Sequence, residues 1–233
     1  MQNKKPLSYI EISKANLVHN IKQFRAVIDK KTKISASIKA NAYGHGDIEV
    51  VKILNPFTDY FQVNSVEELA RVRTISRKPV LVLGYIQKLD LRRAIELSCI
   101  ISIFDLEHAQ TLNEVAKKLG KKVKVHIAID SHLGREGIMP VDLSLFLVEL
   151  KKFKNIVCDG IYSHFANIED TTDFSHGQKQ IDTFKSVVEQ FKNAGYKNIK
   201  NHISATSGIL AYEKWKGIHD IARIGVGLYG MWP

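Results

Sequence analysis

A chain of 233 residues, 45% hydrophobic and 25% charged, can enclose the core of one large domain, so residues 1–233 are read as a single unit. It holds no apolar run of membrane-spanning length, and its amino end, Met1-Gln2-Asn3-Lys4-Lys5-Pro6, lacks the apolar core of a signal peptide, which predicts a cytoplasmic protein that engages no membrane. The formal charge of +10 raises nucleic-acid binding, but the lysines are spread over helix faces and loops (Lys117, Lys118, Lys121, Lys122, Lys124; Lys151, Lys152, Lys154; Lys192, Lys197, Lys200) with no helix-turn-helix, zinc or RNP pattern beside them. A solvated surface is the simpler account of that charge, whose field could still favour anionic cofactors and substrates.

In chain order, Tyr9 to Ile12 reads as a short strand, and Ser13 can cap a helix through about Ile28 with Leu17, Ile21, Phe24 and Ile28 on one face. Lys33 to Ile38 is too short for a stable helix and places Ile34 and Ile38 among small residues, which predicts a buried strand with Lys39 at its carboxyl end. A helix near Ile48 to Leu54 stops at Pro56, Tyr60 to Val63 is a strand, and Ser65 with Glu68 forms a capping box for a helix to Ile75. Val80 to Leu83 is extended, Leu89 to Leu97 helical and Ile100 to Phe104 extended, and Asp105 caps a helix that ends at Gly120. Val123 to Ile129 is followed by a loop and a helix near Val141 to Lys152, then by the strand Ile156 to Ser163 and a long amphipathic helix, Phe174 to Ala194, closed by Gly195. Asn201 to Ser204 and Ile221 to Ile224 are the last strands, joined through a helical piece from Ser207 to Tyr212. Cys99 and Cys158 lie in apolar, strand-like segments without a second ligand at metal spacing and read as buried free thiols, so no metal site is expected.

About eight strands alternating with helices is the number at which parallel βα units close, so the expected fold class is α/β, a (β/α)8 TIM barrel. A doubly wound open sheet fits less well, because the first strand lacks a dinucleotide-type glycine fingerprint and the candidate site residues are scattered over many strand ends. A barrel mouth draws on several strands at once, and a phosphate is commonly held by the loops after its last two strands. Those loops are glycine- and hydroxyl-rich here: Thr206-Ser207-Gly208 after the seventh strand and Gly225-Val226-Gly227 after the eighth, each opening a short helix. Either alone is ordinary turn chemistry, while both together on adjacent strands favour an anion. Lys39, Arg135, His164 and Arg223 each sit at or just beyond a strand end. Taken singly, each has an ordinary reading as a solvated terminus, a rim ion pair or a satisfied structural histidine.

The run Lys39-Ala40-Asn41-Ala42-Tyr43-Gly44-His45-Gly46 closely resembles the cofactor-lysine motif of the alanine racemases, in the lysine, the asparagine and the Tyr-Gly-His-Gly that follows. The resemblance extends over nearly the whole chain through separated motifs in the family's order. It implies pyridoxal 5'-phosphate (PLP) carried on Lys39 as an imine, with Tyr43 a hydroxyl donor to the phosphate. It maps Thr206 onto the phosphate-binding serine, Gly225 and Val226 onto the backbone donors, and makes Ser207 a possible second donor. Arg223, in Ala222-Arg223-Ile224-Gly225, matches the arginine facing the pyridine nitrogen, which keeps its proton and leaves the ring a weaker electron sink. His164, in Tyr162-Ser163-His164-Phe165-Ala166, matches the histidine linking that arginine to a tyrosine base. Arg135, in Asp130-Ser131-His132-Leu133-Gly134-Arg135-Glu136-Gly137, matches the arginine that touches the ring oxygen and the substrate carboxylate.

The chain departs from the family at Ala128, where many members carry a carbamylated lysine that steadies this arginine, and at His132, which replaces a usual glycine. Some other group, an anion or water must orient Arg135. The apolar end, Leu228 to Pro233, looks cut rather than finished. In the family a β-rich domain follows and supplies the tyrosine from the partner subunit of a head-to-tail homodimer, and residues 1–12 are expected to pair with that domain. The resemblance therefore implies the barrel half of an alanine racemase, with Lys39, Arg135 and His164 catalytic, alanine as substrate and D-alanine for peptidoglycan as product. A barrel-only PLP-binding protein without turnover is the alternative, and a basic nucleic-acid-binding module a distant one.

Overall fold

The computed structural model describes residues 7–169, 172–211 and 219–232. Eight strands form one all-parallel sheet in the order β7-β6-β5-β4-β3-β2-β1-β8. They are β1 Lys33–Ser37, β2 Tyr60–Val63, β3 Val80–Val82, β4 Ile100–Ile103, β5 Val123–Ala128, β6 Ile156–Tyr162, β7 Lys200–His202 and β8 Ile221–Ile224. The first strand pairs with the last, Ser35 opposite Arg223, so the sheet curls into a barrel rather than staying open. At the seam between β7 and β8, Asp220 N donates to Asn201 O at 3.0 Å, and Asn201 N donates to the Asp220 carboxylate at 2.8 Å. The (β/α)8 TIM barrel is thereby the observed fold.

Helices α1 Lys14–Val27, α2 Asp47–Leu54, α3 Val66–Arg73, α4 Lys88–Glu96, α5 Leu106–Lys118, α6 Leu143–Leu150, α7 Ser175–Asn193 and α8 Thr206–Ala211 alternate with the strands. Their starts follow the chemistry of the caps: Ser13 Oγ accepts from Asn16 N at 3.2 Å, and Asp105 Oδ1 accepts from His108 N at 2.7 Å. Ser65 caps α3, but the expected capping box is only half made. Glu68 does not return to the Ser65 amide: its carboxylate accepts from Ala40 N at 2.7 Å and Asn64 N at 2.6 Å, and so ties α3 to the loop after β1.

Two further expectations are corrected. Residues 9–12 form no strand: among the described residues they pair with no other strand, and Tyr9 and Ile10 are exposed at 78% and 77%. The helix expected from Val141 begins as a 3₁₀ turn, Pro140–Asp142, before α6. Tyr212, the expected end of the helical piece after β7, lies outside the described residues, as do Met1–Pro6. Both cysteines are free, Cys99 buried and Cys158 half-buried, and burial pushes each thiol up to about 12. Among the described residues no helix is long and apolar enough to cross a membrane.

The strands alternate in a way that builds the site. Ile34, Ala36 and Ile38 join the apolar core, while Ser37 on β1, Gln62 on β2, Tyr162 on β6 and Arg223 on β8 line a cavity at the barrel's carboxyl end. Deeper in the barrel a column of polar groups replaces the usual branched aliphatic layers. Tyr162 stacks on His202 with centroids 5.2 Å apart, His202 Nε2 meets His126 Nδ1 at 2.8 Å, and His126 Nε2 lies 3.5 Å from Asp159.

Candidate active site

The cavity at the carboxyl ends of the strands encloses about 410 Å³. Lys39, Tyr43, Arg135, His164, Thr206, Ser207, Arg223, Gly225 and Val226 all line it, so the structure brings together every site residue expected from the sequence. Ser37, Gln62, Asn64, Tyr162, Glu136 and Glu169 line it as well, none of which motif reading singled out.

Lys39 is presented by an unusual backbone. Ala40, Asn41, Ala42 and Tyr43 have φ of 52°, 53°, 54° and 54°, a left-handed turn of four successive non-glycine residues. Each such residue costs about 1–2 kcal/mol, so the turn persists only because it is over-determined. Gly44 N donates to Ala40 O at 3.1 Å, Gly46 N to Asn41 O at 3.0 Å, Asp47 N to the Asn41 side chain at 3.0 Å, and Glu68 holds Ala40 N. Gly44 and Gly46, at φ 88° and 86°, complete the reversal at positions where side chains are rarely tolerated. The Lys39 ammonium is lowered from its ordinary pKa by burial first, then by the Arg135 and Arg223 guanidiniums. That favours the neutral, nucleophilic amine.

Across the cavity, the loops after β7 and β8 lock together through one hydroxyl. Thr206 Oγ1 accepts from Gly225 N at 3.0 Å and Gly227 N at 3.4 Å, and among the described residues its own proton goes to no group. A side chain at Gly225 would sit 2.8 Å from Tyr43 Oη, and one at Gly227 would clash with Phe24 and Thr206, so only glycine permits this closeness. Ser207 Oγ donates to Glu169 at 2.6 Å, so its proton points to a carboxylate rather than into the open cavity.

Arg223 is buried in the wall. Its Nη2 donates to Ser163 O and, at 3.1 Å, to Ile203 O, and its guanidinium lies 5.1 Å from the centre of the Tyr162 ring. Burial pushes it down to about 10, which still leaves it charged at neutral pH. His164 is pushed down to about 3 by burial, then by Arg223, Arg135 and Lys39, and is neutral. Its position depends on Gln180 of α7, which donates to His164 O at 3.0 Å and accepts from Ala166 N at 3.0 Å.

Arg135 projects from the loop after β5. Asp130 pins that loop by accepting from Leu133 N at 2.7 Å and Gly134 N at 3.1 Å, and Ile138 N returns to Ala128 O at 2.8 Å. Its guanidinium is held by Glu136, through Nε and, at 2.7 Å, through Nη2. Ala128, buried on β5, offers it only a methyl group. His132 adopts φ 67°, the backbone region that favours the glycine it replaces, and its ring lies 3.0 Å from Thr183 Oγ1.

The alanine racemase N-terminal domain model matches residues 12–233. The chain belongs to that family. Alanine racemase 2 of Caldanaerobacter subterraneus subsp. tengcongensis is 34% identical over 227 residues, which are 96% of this chain and 58% of that protein. The solved alanine racemase of Clostridium difficile 630 in complex with cycloserine superposes with a TM-score of 0.88 at 32% identity, over 94% of this chain and 60% of that one. An alanine racemase from Bartonella henselae with covalently bound pyridoxal phosphate superposes at a TM-score of 0.83, over 94% of this chain and 62% of that one, and at 23% identity speaks for the fold alone. This family member spans about three fifths of the length of curated relatives that it matches, 58% of one and 60% of another.

Glu68 and Glu136 were the site's supporting residues that motif reading missed. Glu68 gave a signal, a carboxylate at a helix start, but that signal pointed to the wrong amide. Glu136 gave none, since a neighbouring acid and base in a loop ordinarily diverge into solvent.

Proposed function

We propose that the chain is the barrel half of a PLP-dependent alanine racemase that interconverts L- and D-alanine in the cytoplasm and supplies D-alanine for peptidoglycan. The observation that supports this best is the shared cavity: a lysine amine of lowered pKa faces a hydroxyl and amide cluster suited to phosphate, with an arginine in the wall between. The donor set fits PLP. Thr206 has an uncommitted hydroxyl proton, Gly225 and Val226 bring backbone to the cavity, and Tyr43 adds a phenol.

PLP, when bound, supplies an aldehyde for a lysine amine and a ring that withdraws electrons from the substrate's α-carbon. Lys39 holds the cofactor and then accepts and returns the α-proton on its own face of the substrate. With PLP bound, Arg223 would stand against the ring and keep its own proton, so the ring would remain a weaker electron sink and side reactions that need charge spread into it would be disfavoured. His164, neutral and wedged near Arg223, Arg135 and Lys39, adds no fourth positive charge to the mouth. Arg135 receives the substrate carboxylate on its donor fork. Inversion needs a second acid–base group on the opposite face. We assign it to a tyrosine in the portion of the relatives that this chain does not match, brought by the partner subunit of a homodimer.

Titration with PLP followed by borohydride tests this reading. The expected result is covalent labelling at Lys39 that K39A abolishes; labelling at another lysine, or none, rejects it.

A further inference from the structure

A guanidinium has two edges that can each bind a carboxylate in parallel: the side formed by Nε and one terminal nitrogen, and the end formed by both terminal nitrogens. Glu136 takes the side edge of Arg135, through Nε and through Nη2 at 2.7 Å. Among the described residues Nη1 makes no hydrogen bond and no other acid forms an ion pair with Arg135, so the end edge is free. Both side chains line the cavity that contains Lys39.

Consecutive residues reach the same cavity because the loop is bent sharply on both sides of them. Gly134 has φ 73° and Gly137 φ 124°. A Cβ at Gly137 would lie 2.8 Å from Asp130 N and 3.0 Å from the Ala128 carbonyl carbon, so only glycine lets the chain fold back onto the end of β5. The geometry points to Glu136 as the positioning residue of the site: it clamps the side edge of Arg135 so that the end edge is presented to the carboxylate of an amino-acid substrate. This deepens the racemase reading and rests on it. Glu136 touches no substrate in this arrangement; it acts through Arg135. A clamp of this kind restricts the long arginine side chain before the ligand arrives, which lowers the ordering cost of binding.

Two readouts test it. The proton–nitrogen resonance of Arg135 Nε, assigned by its loss in R135K, reports the pair in the chain without cofactor. It is expected to be protected from solvent exchange in the wild type and to broaden in E136Q; equal protection in both overturns the assignment. In the PLP-loaded chain, the absorbance change on adding L-alanine gives the amino-acid affinity. E136Q is expected to weaken it about threefold to tenfold with PLP affinity unchanged, and E136D, which keeps a carboxylate, to recover part of the loss. Unchanged alanine affinity overturns the proposal, and tighter binding overturns it by making Glu136 a competitor for the fork. If the wild-type chain takes up no PLP, the racemase reading falls instead, and the Nε resonance alone decides whether Glu136 holds Arg135.

Discussion

Two loops at one barrel mouth carry two of the groups that the proposed reaction uses, the Lys39 amine and the Arg135 guanidinium, and they are held in opposite ways. The loop from Lys39 to Gly46 is rigid through its own backbone, a left-handed turn whose amides are taken up internally, by Asn41 and by Glu68. The loop from Asp130 to Gly137 has one buried carboxylate at its root, Asp130, and a half-exposed ion pair at its tip. The first stores strain to fix where a nucleophile stands. The second fixes only the direction of a donor fork, which the long arginine side chain and an acidic neighbour suffice to do. A group that must form a bond needs the tighter placement, since small misplacements there are costly.

The largest expected effect comes from breaking the first loop. Ala42 is fully buried at φ 54°, where a β-branched side chain meets both the left-handed penalty and overpacking. A42V is expected to lose about 2–4 kcal/mol in urea unfolding and most of the borohydride capture at Lys39. The same stability with full capture would mean that the turn is not strained.

Acid should act next, through the buried histidines of the barrel and its mouth. His164 is held down to about 3 from the ordinary 6.5, and His126 and His202 are also lowered, in each case by burial first. A folded histidine of lowered pKa binds fewer protons than its unfolded counterpart, so its stabilisation is complete above the unfolded value and is lost as pH falls below it. The unfolding free energy from urea titrations should therefore hold steady from pH 8 to 7 and fall below about pH 6.5, by up to about 1.4 kcal/mol per pH unit for each such histidine. A flat profile down to pH 5 would show that these rings protonate as freely folded as unfolded.

The contrast between the loops also explains what could be read from the chain. Strand and helix order followed from apolar periodicity and caps such as Ser13 and Asp105, because those signals are local. That the expected residues would gather at one cavity was legible because they fall at or after the carboxyl ends of barrel strands, which share one mouth. The left-handed turn was not legible, since Ala40 and Ala42 carry no sign of positive φ and only the surrounding bonds impose it. His132 stands in place of the family's usual glycine, and its φ of 67° gives that substitution its physical meaning. Glu68 was assigned to its own helix because a capping box is a local pattern, whereas its actual acceptor role joins two separate βα units.

Smaller effects should come from the second loop, beginning at its root. D130A removes the acceptor of Leu133 N and Gly134 N, both near enough to the surface for water to replace part of the loss. The expected cost is about 1–2 kcal/mol, with faster amide exchange confined to residues 131–137. Faster exchange at Ala40 to Gly46 as well would show the two loops to be coupled rather than independent.

Salt should separate the two designs with the smallest change of all. Raising ionic strength from about 0.05 M to about 0.5 M shortens the screening length to a few ångströms, which weakens a half-exposed pair such as Arg135 with Glu136 and leaves uncharged backbone bonds nearly untouched. Protection of Arg135 Nε should fall across that range while amide exchange in the Lys39 turn stays constant, and global stability should move by less than about 1 kcal/mol. If salt loosened the Lys39 turn instead, its charged contacts, the Glu68 carboxylate on Ala40 N at 2.7 Å and the ion pair of Asp47 with Arg71 at 2.6 Å, would have to carry the rigidity here ascribed to the backbone.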